Sequence, residues 1–263
     1  MKVSSSLGLF LFFAGIAQIG STMPAAFAQQ TGAQGASAGS TVGELSAAFS
    51  GGKTIQNVQL SGDAVWYAGS LEDSGTVTLT ASPDGSWQMQ LLLGASGQRT
   101  ETQTGAGSSA NCLWAGSDRV THQVDLGNCW RPALWFLPAF SLQPSLVTNS
   151  FGIADLGMGT VGASKTEYRH LQGQLNPSSL PNSQGTSIEQ QGTADLGLDP
   201  VTLLPAVLAY SIRPDNGAQV AIAIEVHYSD YHAINGVQIP FLIQRYVNGS
   251  LQLEIRVYSA QIN

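Results

Sequence analysis

Along residues 237–262 apolar and polar side chains alternate almost without interruption. Val237, Ile239, Phe241 and Ile243 share one side of an extended chain, and Leu251, Leu253, Ile255 and Val257 share one side of the next. Gln252, Glu254, Arg256 and Tyr258 then point the other way, because successive side chains leave a strand on opposite faces. Asn248-Gly249 separates these two runs, and Asn216-Gly217 and Asn235-Gly236 separate earlier ones. Asn-Gly supplies the two left-handed positions of a two-residue hairpin turn. The pattern therefore predicts an antiparallel meander over residues 196–198, 207–212, 220–231, 237–247 and 251–262. Pro240 falls at an outward position, which predicts an edge or a bulge there.

The same two-residue period runs earlier in the chain. Val77, Leu79 and Ala81 alternate with threonines, Ser82-Pro83-Asp84-Gly85 makes a turn, and Trp87, Met89, Leu91 and Leu93 alternate on the way back. The next segment, QRTETQT from Gln98 to Thr104, has strand-forming residues but no apolar side. It is either an edge strand or a strand whose inner face is wet. A helical period precedes all of this. Val42, Leu45 and Phe49 share a face, Thr41 and Glu44 have capping-box spacing, and Gly51-Gly52 ends the helix. Residues 130–151, WRPALWFLPAFSLQPSLVTNSF, break the strand pattern. Pro138 and Pro144 forbid one long helix there, so two short helical pieces lying on the sheet are expected. Residues 176–192 read as a polar loop.

The N-terminus sets the compartment. Met1-Lys2, an apolar run over residues 7–20 and Ala26-Phe27-Ala28 form a secretory signal peptide, with cleavage expected after Ala28. The run falls short of the roughly 20 residues a membrane span needs. A soluble periplasmic or secreted chain is expected, with a flexible tether at 29–40 and one domain at 41–263. The full chain carries a net charge of −7, only 10% of its residues are charged, and it has no basic cluster. That balance argues against nucleic-acid partners. In an exported chain the two cysteines, Cys112 and Cys129, are expected to form one disulfide, worth about 3 kcal/mol.

Candidate catalytic motifs fail on context. Gly35-Ala36-Ser37-Ala38-Gly39 matches a serine-hydrolase elbow but lies in the tether, where no strand and helix hold the hydroxyl exposed. Gly157 to Gly162, GMGTVG, matches a dinucleotide fingerprint but is followed by ASKTEYRHL, which reads as a strand, so it is expected to be a loop. Asp230 and His232 share a strand face with His227 opposite, whereas zinc needs three or four converging ligands. His122 and His170 are isolated. Glu225 and Glu254 alternate with core positions, so they point outward rather than forming a glycosidase pair. Trp130, Trp135, Phe136 and Phe140 fit either a core plug or the lining of an apolar ligand site.

Two stretches carry a resemblance. DLGLDPVTLLPAVLAY (Asp195 to Tyr210) holds an acidic-Pro-x-Thr-x-Leu-Pro strand start. YSDYHAINGVQIPFLIQRYVNGSLQLEIRVYSAQIN (Tyr228 to Asn263) holds Tyr-x-Asp-Tyr and Gly-Val-x-Ile-Pro. This order resembles the periplasmic lipoprotein-carrier (LolA/LolB-like) superfamily. The resemblance implies a mainly β fold, a curved antiparallel meander forming an incomplete half barrel with short helices on its concave face. In the carriers that concavity receives acyl chains. The expected function is therefore non-catalytic binding of a hydrophobic or acylated ligand by a monomeric envelope protein, with no cofactor. Another envelope protein is the other partner to expect. Trp135, Phe136, Phe140, Ile239, Phe241, Leu253 and Ile255 would line the site, with Leu134 to Leu142 as a movable cover. The alternative is a structural or adhesive envelope protein whose concavity is filled by its own side chains.

Overall fold

The computed structural model describes residues 38–105, 110–124, 126–129, 135–141, 151–175, 193–213 and 220–263. The signal peptide, Trp130, Leu134, Leu142, Asn216-Gly217 and the polar loop at 176–192 lie outside the described residues.

The chain opens with helix α1 (Ala38–Ser50) and then builds a first arm of six strands. These are β1 (Val58–Ala68), β2 (Leu71–Ala81), β3 (Trp87–Leu93), β4 (Gly97–Thr104), β5 (Asn111–Ala115) and β6 (Thr121–Gln123). Two helical turns follow, α2 (Leu126–Cys129) and α3 (Pro138–Ser141). The second arm is β7 (Phe151–Thr160), β8 (Glu167–Leu175), β9 (Thr193–Leu198), β10 (Pro205–Ile212), β11 (Ile222–Ile234), β12 (Val237–Val247) and β13 (Ser250–Ile262). All thirteen strands join one antiparallel sheet in the order β6-β5-β4-β3-β2-β1-β13-β12-β11-β10-β9-β8-β7. The first and last strands meet in its middle, and the chain passes from one edge to the other between β6 and β7. The sheet does not close, so the expected open half barrel is what forms.

Local chemistry accounts for the hairpins. Asn235 and Gly236 take φ of 52° and 82°, and Asn248 and Gly249 take 49° and 76°, the left-handed pairs that a two-residue turn requires. One continuous core covers the inner face. Leu79 of β2 lies opposite Met89 of β3, and Ile243 of β12 lies opposite Ile255 of β13, all within 1% of complete burial. Leu45 and Phe49 of α1 and Phe136 and Phe140 of the crossover pack into that same core.

Four local expectations are corrected. The helix begins at Ala38, so Thr41 is not its N-cap. Its hydroxyl donates instead to Asp155 of β7 and accepts from Arg169 of β8, which also pairs with Glu44 at 3.0 Å. A partner on the sheet has displaced the local cap. Gly157–Thr160 is not a loop but the end of β7, with Gly157 at φ 77° beside a register shift against β8. A glycine bulge bends the strand there. Gln252 does not point away with Glu254. It is skipped between the Arg245–Leu253 and Tyr246–Leu251 pairs, and this bulge turns it toward the concave side. Pro240 is buried, and it lies where β12 pairs with β11 but not with β13, a local edge that tolerates a missing N–H.

Candidate ligand cavity

The inner face is not filled along its whole length. At the end of the half barrel carrying the C-terminal residues of β1, β10 and β12 there is a cavity of about 480 Å3. Trp66 of β1, Arg99 of β4 and Trp114 of β5 line it from the first arm. Tyr210 and Ile212 of β10, Ile224 of β11 and Arg245 of β12 line it from the second. Residues of β4 and β10, seven places apart in the sheet order, share one cavity only because the sheet curves.

Helix α2 straps the two arms together across this end. On one side, Cys129 forms the expected disulfide with Cys112 of β5, with Cα atoms 5.5 Å apart. On the other, Asn128 Nδ2 donates to the Arg213 carbonyl at 2.6 Å, and Arg213 N–H donates back to Asn128 Oδ1 at 3.0 Å. The Tyr228 hydroxyl, buried in the core, donates to the Trp135 carbonyl and pins the crossover to β11.

The cavity wall is aromatic and charged. All four tryptophans among the described residues line it: Trp66, Trp87, Trp114 and Trp135. Trp87 Nε1 donates to Gln103 Oε1 at 3.0 Å, and Trp114 stacks on His122 with centroids 4.2 Å apart. The Arg99 guanidinium lies 5.3 Å from the Trp66 ring and 4.9 Å from Trp114. That of Arg245 lies 5.6 Å from Trp66 and 4.8 Å from Trp135. Both arginines share Glu101, Arg99 at 2.8 Å and Arg245 at 3.6 Å. Burial pushes the Glu101 carboxyl upward, but the Arg245 and Arg99 charges outweigh it and hold it below the usual range.

At the other end α1 packs on β12 and β7, with Lys53 Nζ donating to the Asn235 carbonyl at 2.7 Å. Asp155, below its ordinary carboxyl range, is held there against burial by Thr41, Gly157 N–H and Arg169.

No family model matches the sequence, and the search of curated proteins finds no match. Solved structures do match. A domain from Vibrio parahaemolyticus, named for outer membrane lipoprotein sorting, superposes with a TM-score of 0.54 at 6% identity, over 85% of this chain and 91% of its own. A LolA superfamily protein from Nitrosomonas europaea gives a TM-score of 0.52 at 10% identity, over 87% and 94%. A DUF1329 family protein from Desulfovibrio piger gives 0.52 at 10% identity, over 86% and 92%. The chain has a LolA-like fold.

Within that LolA-like fold, the motifs behind the resemblance are structural. Asp199 accepts from the N–H groups of Val201 and Thr202, at 3.0 and 2.7 Å, and so forms the turn into β10. The Tyr231 hydroxyl donates to the Pro205 carbonyl at 2.7 Å and joins the two motifs.

Of the seven lining residues expected from sequence, Trp135 borders the open cavity. Phe136, Phe140, Ile239, Leu253 and Ile255 sit together in the closed core. Phe241 is half-buried at the core's margin, its ring 4.2 Å from that of exposed His232. His232 pairs with Asp230 at 3.0 Å and His227 with Glu225 at 3.2 Å. Glu225 also accepts from Ala163 N–H, and Glu254 from Gln244, both on the outer face. The cavity's charged residues were missed as a site. Their one signal was QRTETQT, a strand without an apolar face, which is β4 with Arg99, Glu101 and Gln103 on the cavity side.

Proposed function

We propose that the protein is a non-catalytic carrier outside the cytoplasm that takes a hydrophobic or acylated ligand, a lipid or a lipoprotein acyl chain, into the concavity. The supporting observation is the cavity of about 480 Å3 bounded by both arms of the sheet and faced with four tryptophans. It falls within the roughly 300–1,000 Å3 usual for small-molecule sites. The LolA-like fold, the disulfide and the apparent signal peptide agree with this placement. Binding would be driven by desolvation, at about 25 cal/mol for each Å2 of apolar surface removed from water. The test is native mass spectrometry of the protein purified gently from its host, with titration by a fluorescent fatty-acid analogue. A bound species of lipid mass and saturable binding are expected. A ligand-free protein that does not bind the analogue would remove the carrier reading.

A second reading, a structural envelope protein, draws on the crossover. Phe136 and Phe140 are completely buried, so the chain's own side chains fill the middle of the concavity. On that reading the remaining cavity holds only water.

A further inference from the structure

Two buried donors at the cavity wall have no partner. Trp135 is 4% exposed and Arg245 9%, and among the described residues neither the Trp135 Nε1–H nor the Arg245 Nε–H meets an acceptor. Buried polar groups in folded proteins nearly always have a hydrogen-bond partner, so a pair of orphans in one place asks for a cause. Both groups can only donate. Whatever completes them is an acceptor.

The charges narrow it further. Two arginines, Arg99 and Arg245, meet at the cavity wall, and among the described residues they share a single carboxylate, Glu101. Glu101 is shared, and it lies nearer to Arg99 than to Arg245. An arginine never gives up its proton, so the Arg245 charge is only partly met. A net-negative chain has placed surplus positive charge inside an aromatic hollow. The Arg245 guanidinium carbon lies 4.8 Å from the centroid of the Trp135 ring, so the two unpartnered side chains are direct neighbours. Around them Trp66, Trp87, Ile222, Ile224 and Val247 offer apolar surface to a chain.

We propose that Arg245 and Trp135 receive the anionic head, carboxylate or phosphate, of a single-chain amphiphile whose hydrocarbon lies on the surrounding aromatic wall. This rests on the carrier reading and names the ligand class. Glu101, itself fixed by Arg99, holds Arg245 in place and excludes a cationic head.

The test compares dodecanoate, dodecyl phosphate and dodecanol, each titrated at pH 8 into the purified exported protein and followed by tryptophan fluorescence. Wild type should bind at least one of the anions about tenfold or more tighter than dodecanol, the range of a charge-assisted hydrogen bond. The preferred anion tells carboxylate from phosphate. Arg245→Met, which keeps an unbranched apolar stem and removes the charge and the donors, should erase the preference and retain dodecanol binding. Trp135→Phe should reduce it. Equal wild-type affinity for all three compounds, or an undiminished preference in a folded Arg245→Met protein, overturns the assignment and leaves the carrier reading intact. Failure of all three to bind overturns both. The wild-type comparison stands even where a variant fails to fold.

Discussion

At the end covered by α1, the concavity is full. Leu45, Phe49, Ile239 and Phe140 are within 1% of complete burial. At the opposite end Trp66, Arg99 and Trp114 are half-buried around open space, and the polar side chains there bond across it. One sheet, with one alternation along its strands, thus has a close-packed half and a half that keeps its arms apart. The difference lies in what covers each half. A thirteen-residue amphipathic helix lays Leu45 and Phe49 onto the first. A four-residue helix, fixed at both sides by a disulfide and an asparagine, spans the second without filling it.

The largest effect should come from the packed half. Phe140→Ala removes a completely buried ring, so stability should fall by about 3–5 kcal/mol in denaturant titration. The same substitution should leave occupancy of the open end near wild type in whatever fraction stays folded. A loss below about 1 kcal/mol would mean that the two halves are equally loose.

Next comes the strap. Replacing Cys112 and Cys129 by serine should cost about 3 kcal/mol and speed protease cleavage between β6 and β7. Unchanged cleavage would show that Asn128 alone holds α2 across the arms. Arg169→Met should cost about 1–3 kcal/mol, because it strips Asp155, whose side chain is 4% exposed, of its guanidinium under α1. The loss should appear as earlier exchange of α1 amides, with β4 and β5 unaffected.

The smallest effect is in acid. Glu101 and Asp155 both titrate lower in the fold than in the unfolded chain. Their contribution is complete above the unfolded carboxyl range, about pH 4, and is lost as pH falls through the depressed folded values. Thermal melts from pH 7 to pH 2 should therefore show stability falling below about pH 4. Glu101→Gln should be less stable at neutral pH and flatter in that window. An equally steep fall in Glu101→Gln would assign the acid sensitivity to Asp155 and the α1 end.

Much of the sheet was legible because alternation and Asn-Gly turns are local signals. Val237 to Val257 reads correctly apart from Pro240 and Gln252, and so does the Leu79–Met89 hairpin. The candidate site was hardly legible. Its residues come from eight strands and the crossover between the two arms. Arg245 follows the same alternation as Ile243 and Ile239, so by pattern it is only a polar interruption of a core face. Trp66 and Trp114 face Arg245 and Tyr210 across the cavity, residues far along the chain. Sequence misled where a distant partner or a bulge overrode the local pattern, as Asp155 did at Thr41 and a bulge did at Gln252.

By itself the amino-acid sequence determined the Val77–Leu93 hairpin and the C-terminal strands, two of their hairpin turns, the disulfide pair and the greasy face of the sheet, since each depends on residues a few positions apart or on there being only two cysteines. The tertiary structure decided three further things. It joined β1 to β13 in mid-sheet, carried the crossover from edge to edge, and brought Arg99, Glu101 and Arg245 together beneath Trp135. Those depend on sheet curvature and on which arm meets which. Curvature accumulates over thirteen strands, and no short stretch of the chain encodes it.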